Sequence, residues 1–304
     1  MLLSSSPKFA VIGDPVVQSL SPLIHLPVLE HYVENPTYEK IHVRRGELPR
    51  WLDRVREEGY AGFTVAMPHK MEIGQYLDEL IMEADLIGSV NTVVNRGGKL
   101  IGYSTDALGF FTALRENKID FFGKRILILG AGGAARALAY RAVLDGAGRV
   151  EVLARRESQA RDVCRSIRAN ARWAALSWGQ MDMDTLRLKS AKADIIVNAT
   201  PQGMAGVDAV WEDLSFLSAL PSHAVVCDIV HVPVKTAFLA EAERLWRRTL
   251  DGVDMLIYQT LVADSLYLGQ EIDYTAMAEV VKRTLYEEVS VGSPDKSPFS
   301  QIDV

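Results

Sequence analysis

The sequence predicts a two-domain α/β protein, an N-terminal α/β domain with a mostly parallel sheet followed by a doubly wound nucleotide-binding domain. Three observations carry this. Short apolar, strand-like runs alternate with helix-like segments almost throughout the chain. The length, 304 residues, is enough for two hydrophobic cores. A glycine-rich turn after an apolar strand opens a second run of alternation near Lys124.

The elements follow in order. Lys8 to Gly13 (KFAVIG) is an apolar run closed by glycine and reads as a buried strand. Pro22 to Tyr32 has helical apolar spacing. Tyr38 to Val43, Gly62 to Met67 and Val90 to Asn95 read as further strands, with helices expected over Glu47 to Glu58 and Lys70 to Ala84. In the second domain Arg125 to Leu129 (RILIL) is a strand, followed by Gly130-Ala131-Gly132-Gly133 and an Ala-rich helix to about Leu144. Strand 150–153, helix 158–168 and strands 194–198 and 224–228 continue the pattern. Helices over 256–268 and 274–289 are expected to return to the first domain. The domains are therefore set at 1–107 (completed by 254–289) and 108–253. The Ser- and Pro-containing tail from 290 to 304 is expected to be disordered.

Composition narrows the function. The chain is 48% apolar and 24% charged with a net charge of −6, so it lacks the clustered positive charge that nucleic acid requires. No apolar run reaches the roughly 18 residues needed to cross a bilayer, and the start (MLLSSSPK) is unlike a signal peptide. Cys164 and Cys227 stand far apart and the six histidines are scattered, which gives no expectation of a metal. A cytoplasmic protein acting on a small molecule, free of membrane and nucleic-acid partners, is expected.

The glycine turn names a cofactor class. Glycines let the backbone approach a pyrophosphate, and the following helix offers free N–H groups and a positive dipole end to it. A tight strand–helix turn could use glycine for steric reasons alone. Here the flanking strand and the small residues Ala134-Ala135-Arg136-Ala137 agree with the dinucleotide reading. The second strand ends at Arg155-Arg156, where an NAD-binding site places an acidic residue. Two guanidinium groups suit the 2′-phosphate of NADP, although they could also be solvated loop charges, and Glu157 works against the preference. NADP is favoured, with NAD as the alternative.

Four polar segments precede this turn: Ser19-Leu20-Ser21-Pro22, Pro68-His69-Lys70, Ser89-Val90-Asn91-Thr92 and Ser104-Thr105-Asp106. Each alone is ordinary turn or cap chemistry, in which Lys70 is a surface lysine and Asp106 a helix cap. In this order ahead of GAGGAARA, and followed by Asn198-Ala199-Thr200-Pro201-Gln202-Gly203-Met204, Asp228 to Pro233 and Gly252 to Gln259, they resemble the shikimate/quinate dehydrogenase family from about residue 8 to 287. The resemblance implies a substrate domain, a Rossmann-type NADP domain, and reversible hydride transfer to a ring carbon of a polyhydroxylated ring acid. It implies Lys70 as the proton-transferring residue with Asp106 as its partner. It implies Asn91 and Gln259 as ligands of the substrate hydroxyls, and Ser19, Ser21 and position 66 as ligands of the carboxylate. Gly130, Ala131, Gly132, Gly133, Ala134, Arg155, Arg156, Thr200, Ile229 and Gly252 fall at cofactor-binding positions.

The departures from that pattern cluster. The family segment Gly-x-Asn-Val-Thr-x-Pro-x-Lys is here Gly62-Phe63-Thr64-Val65-Ala66-Met67-Pro68-His69-Lys70. Asp-x-x-Tyr-x-Pro becomes Asp228-Ile229-Val230-His231-Val232-Pro233, and the serine motif continues His25-Leu26 rather than His-Asn. The hydroxyl-binding end is thus intact while the carboxylate end lacks two hydroxyls. Each lost bond to a charged group is worth about 1.5–3 kcal/mol. His231 either replaces the missing phenol as a carboxylate partner or fills space. Three functions are compatible: a dehydrogenase of shikimate, quinate or an amino analogue; an NADP-dependent reductase of another cyclic ketone; and a non-catalytic NADP-binding regulator. Monomer and homodimer are both open.

Overall fold

The computed structural model describes residues 6–17 and 19–291. The chain divides there into two units: the residues up to Gly109 with Ile257–Val291, and Phe110–Leu256.

The first unit is built on β1 (Lys8–Gly13), whose residues after Lys8 are all buried. It is followed by α1 (Ser21–Tyr32), β2 (Thr37–His42), α2 (Leu48–Glu58), β3 (Tyr60–Val65), β4 (Glu79–Leu80), α3 (Met82–Ile87), β5 (Thr92–Arg96) and β6 (Lys99–Tyr103). The sheet order is β2-β1-β3-β5-β6-β4. β1 runs parallel to β2 and β3 because α1 and α2 supply the crossovers that parallel pairing requires. β5 and β6 are antiparallel, joined through Gly97 and Gly98 with φ of 64° and 92°. Two adjacent residues at positive φ match the right-handed twist of a hairpin. Alternation along β1 sends Ala10 and Ile12 to one face, against Trp51, Leu52 and Val55 of α2. Phe9 and Val11 go to the other face. α2 buries Leu48, Trp51, Leu52 and Val55, one apolar stripe, and stops at Gly59 with φ of 70°.

The expected helix over Lys70 to Ala84 does not form. In its place stand two 3₁₀ turns (His69–Met71 and Ile73–Tyr76), then β4 and α3. Ile73, Leu77, Leu80 and Ala84 do reach one core, but through turns and a strand rather than a helix, and Gly74 weakens the helical alternative. Asp78 Oδ2 accepts from Leu100 N at 2.7 Å, and Glu79–Leu80 pair with β6. Tertiary pairing thus takes residues that local propensity assigned to a helix.

The first boundary between the units falls inside α4 (Asp106–Glu116). The second unit continues with β7 (Arg125–Leu129), α5 (Gly133–Leu144), β8 (Arg149–Ala154), α6 (Glu157–Asn170), β9 (Leu176–Gln180), α7 (Met183–Ser190), β10 (Ile195–Asn198), β11 (Val225–Asp228), α8 (Ala237–Arg244) and β12 (Arg248–Leu250). Its sheet has the order β12-β11-β10-β7-β8-β9, and every pairing is parallel. The direction of winding reverses between β7 and β10, which makes the C-terminal ends of those strands the switch point of a doubly wound sheet. Central strands β7, β10 and β11 are apolar runs covered on both faces. The outer strands β9 and β12 were not expected from the sequence, since LSWGQ and RTL lack such runs.

α9 (Gly252–Leu268) and α10 (Tyr274–Val291) close the described chain. From Ile257 onward they belong to the first unit, where Ala263 and Tyr267 pack with Phe9, Val11, Leu29 and Tyr38. α10 contacts α1. The tail expected to be disordered lies, from 292 onward, outside the described residues. Among the described residues no helix is long and apolar enough to cross a membrane.

Candidate active site

The ends of β3 and β5 bring the polar segments of the first unit together. Beyond β3, Ala66 N donates to Ile12 O at 2.8 Å, so the chain stays beside β1 before turning into Pro68-His69-Lys70. Val90 N then donates to Lys70 O at 2.8 Å, and Val65 N donates to Asn91 O at 2.7 Å. Lys70 and Asn91 are therefore held by backbone pairing. Lys70 Nζ donates to Asp106 Oδ2 at 2.6 Å, and Asn91 Nδ2 donates to Asp106 Oδ1 at 2.9 Å. The Asn91 amide also bonds Thr105, donating to its Oγ1 at 2.8 Å and accepting from its N at 2.6 Å. Thr105 Oγ1 lies 3.2 Å from Thr92 Oγ1. Asp106 is the first residue of α4. Of the two readings open in the sequence, the structure gives the Asp106 carboxyl to Lys70 and Asn91 and places the residue in the first turn of α4.

Exposure separates the two partners. The Asp106 side chain is 3% exposed and that of Lys70 22%. The carboxylate is a fixed internal anion, and the ammonium is the end of the pair that can reach a ligand. Thr105 was absent from the predicted site. Its signal was a polar residue immediately before Asp106 in a segment that must turn.

The other predicted substrate residues are placed as follows. Ser19 Oγ donates to Ser21 Oγ at 3.0 Å and accepts from Ser21 N at 3.2 Å, which joins the two serines at the start of α1. Ala66 is half-buried, and a Cβ on Gly13 would lie 3.0 Å from its Cβ. Gln259 is half-buried on α9, beside Gly109 of α4. A Cβ at 109 would sit 2.5 Å from Gln259 N, so glycine is what admits α9 at this point. His231 belongs to the second unit and is half-buried after β11.

In the second unit the predicted cofactor residues lie in the turns after β7, β8, β10 and β11 and at the start of α9. Gly130 has φ of 119°, and a Cβ there would lie 2.7 Å from Ala199 O, so both conformation and space require glycine. Gly132 caps α5 without a side-chain hydrogen bond, and a Cβ on it would meet nothing within 4 Å. Gly133 and Ala134 form the first turn of α5, and Ala131 precedes it half-buried. Gly132 thus offers no side-chain acceptor to the first amides of α5, as a pyrophosphate at that helix end requires. Arg155 and Arg156 are exposed just past β8. Thr200 donates to Asn198 Oδ1 through both N and Oγ1, at 3.1 and 2.6 Å. Ile229 N donates to Asn198 O at 3.1 Å. Gly252 is buried, and a Cβ on it would lie 2.5 Å from Val230 O, so this glycine also has a packing reason. The residues present fit a dinucleotide.

Asp228 ties these turns together. Its Oδ1 accepts from Asn198 Nδ2 at 2.9 Å and Val230 N at 3.0 Å, and its Oδ2 from Thr236 Oγ1 at 2.7 Å. Burial pushes its carboxyl up to about 7, against the pull of those donors.

With this geometry in view, the comparisons are specific. A profile of the shikimate dehydrogenase substrate binding domain matches residues 11–93. A shikimate dehydrogenase (NADP(+)) of Alkaliphilus oremlandii is 35% identical over 281 residues, covering 91% of this chain and 95% of that protein. The chain belongs to the shikimate dehydrogenase family. Among solved structures, a shikimate dehydrogenase in complex with NADP+ superposes with a TM-score of 0.81 at 32% identity, covering 93% of this chain and 97% of the other. A ligand-free 5-ketofructose reductase of Gluconobacter sp. superposes with a TM-score of 0.77 at 29% identity, covering 91% and 98%. The family is built on the two-domain, Rossmann-type NADP-binding fold, and its activity is that of an NADP-dependent oxidoreductase acting on a CH–OH group.

Two outcomes follow. Gly109→Ala should lower stability by at least about 1 kcal/mol, because the clash with the Gln259 backbone outweighs the gain in helix propensity; the urea midpoint measures it. For Asp228 the raised native pKa means the native state keeps a proton that the unfolded chain releases near pH 4. Stability should then fall as pH rises from about 4 to about 7 and level off above that. Asp228→Asn should flatten that slope, and urea titrations of both proteins across this range giving equal slopes would refute it.

Proposed function

We propose that this chain is an NADP-linked oxidoreductase that interconverts a ring ketone and its alcohol, with 3-dehydroshikimate and shikimate, or the quinate pair, as leading substrates. The observation that carries this is the Lys70–Asp106–Asn91 cluster, in which a partly exposed ammonium is gripped by a buried carboxylate. Oxidising a secondary alcohol requires a base on the hydroxyl oxygen, and reducing the ketone requires an acid at the same atom. Lys70 Nζ holds or takes that proton. Asp106 aims Nζ and keeps it from other partners, and Asn91 fixes Asp106 through its second oxygen. The α5 N-terminus would hold the pyrophosphate of NADP and Arg155 and Arg156 its 2′-phosphate, and the bound cofactor would supply or accept the hydride. Asn91 and Gln259 would bind neighbouring hydroxyls of the ring, while Ser19 and Ser21 bind its carboxylate. The first unit is read as the substrate domain and the second as the cofactor domain, in a cytoplasmic monomer or homodimer whose product serves aromatic biosynthesis.

A second reading rests on a separate observation. Ala66 offers no hydroxyl, and no tyrosine stands at 231, so the acid end has lost two donors. A neutral polyhydroxylated cyclic ketone needs neither, and one structural relative is named a 5-ketofructose reductase. Steady-state turnover of shikimate, quinate and neutral ring polyols with NADP⁺ and NAD⁺ separates the two readings.

Lys70→Ala should lower kcat by about 10²–10⁴-fold and leave NADP affinity within about twofold. Retained turnover would assign the proton transfer elsewhere. Arg155→Ala combined with Arg156→Ala should raise KM for NADP by at least about tenfold and leave that for NAD unchanged.

A further inference from the structure

On the α1 side of β3, away from Lys70, the first unit buries a second polar cluster that the proposed chemistry does not use. His25 Nδ1 lies 2.6 Å from Asp264 Oδ1, with side chains 3% and 0% exposed. His25 Nε2 lies 3.4 Å from Thr64 Oγ1, which is also 2.7 Å from Tyr38 OH and 3.1 Å from Tyr267 OH. The His25 ring stacks on Tyr38 at 4.5 Å between centroids. A consistent direction runs through the group. With His25 Nδ1–H donating to Asp264, Nε2 accepts from the Thr64 hydroxyl, and Thr64 Oγ1 accepts from both tyrosines. Asp264 Oδ2 and, one turn earlier on α9, Thr260 Oγ1 are buried without a hydrogen-bond partner.

Stability alone does not account for such a group. A buried carboxyl group with one oxygen unpartnered costs free energy, and replacing both partners of a buried polar contact by apolar groups of the same shape is often nearly neutral. The opposite face of the same sheet is filled with apolar side chains. What hydrogen bonds add over apolar packing is direction: they fix the rotation of each element about its axis. The elements fixed here, α1, β3 and α9, lead to several of the positions assigned to the substrate. Ser21 is four residues before His25, one turn up the same face of α1. Ala66 is two residues beyond Thr64 along the same strand direction. Gln259 stands five residues before Asp264 on α9. Thr64 occupies the position where the family motif carries asparagine.

We propose that Asp264, acting through His25 and Thr64, is a positioning residue that sets α1, β3 and α9 in the register in which Ser21, Ala66 and Gln259 meet the ring substrate. This rests on the assignment of those three to the substrate subsite. The test is a double-mutant cycle of Asp264→Asn with Ser21→Ala, reading KM for the ring substrate and for NADP separately. Asp264→Asn alone should raise substrate KM about fivefold with KM for NADP within about twofold, and in the Ser21→Ala background the rise should shrink to under about twofold. A purely structural role would move the urea midpoint and leave this coupling at zero. Penalties that simply multiply, or no change on Asp264→Asn, overturn the inference while leaving the proposed function intact. If Ser21→Ala alone leaves substrate KM unchanged, the subsite assignment is wrong and the inference falls with it. Should Asp264→Asn fail to fold, Thr64→Val in the same cycle gives the same expectation and the same refutation.

Discussion

A carboxylate that is 3% exposed and bonded to a lysine ammonium is the constraint around which the first unit is arranged. Both oxygens of Asp106 are engaged there, one by Lys70 and one by Asn91. Removing Lys70 would leave the carboxyl group without its charged partner, which costs several kcal/mol, whereas removing Asn91 would leave one oxygen unpartnered. The backbone answers to this need. Lys70 and Asn91 are pinned by pairing with Val90 and Val65, and Thr105 closes the Asn91 amide from below. The pair does not make the fold stable; the fold makes the pair possible.

The second unit solves a different electrostatic problem by a different device. Its predicted cofactor residues sit in the turns at the C-terminal ends of parallel strands, where helix N-termini gather unpaired N–H groups. Asp228 holds two of these turns and the start of α8 with three hydrogen bonds. One carboxylate in each unit therefore organises the loops around it, Asp106 as a charged partner and Asp228 as an acceptor that burial pushes toward protonation.

The chain keeps the Lys70–Asp106–Asn91 cluster, while positions 64, 66 and 231 depart from the family motifs. Ala66 and His231 change what the ring acid would touch, and Thr64 has been drawn into a separate buried cluster with His25 and Asp264. Loss of hydroxyls at one end need not disturb hydride transfer at the other, because the two ends use different residues.

Legible along the chain were the fold class, the alternation of the central strands and, through the family resemblance, the partnership of Lys70 with Asp106. Those depend on local apolar runs and on an ordered set of motifs, which survive in one dimension. β9 and β12 were not legible, because edge strands need no apolar run. The hairpin at Gly97-Gly98 was legible from two adjacent glycines and was missed. Thr105 was quoted within a motif without a role, and Asp264 could have been noticed as a carboxylate inside the apolar run of α9. Only the tertiary structure decided that residues 70–84 are turns and a short strand, since Asp78 and β4 find their partners on β6, a distant segment. It alone decided that His25, Thr64 and Asp264, separated by up to 239 residues, share one buried site. Hydrogen bonds between distant segments leave no period in the sequence, and so they appear only when the chain is folded.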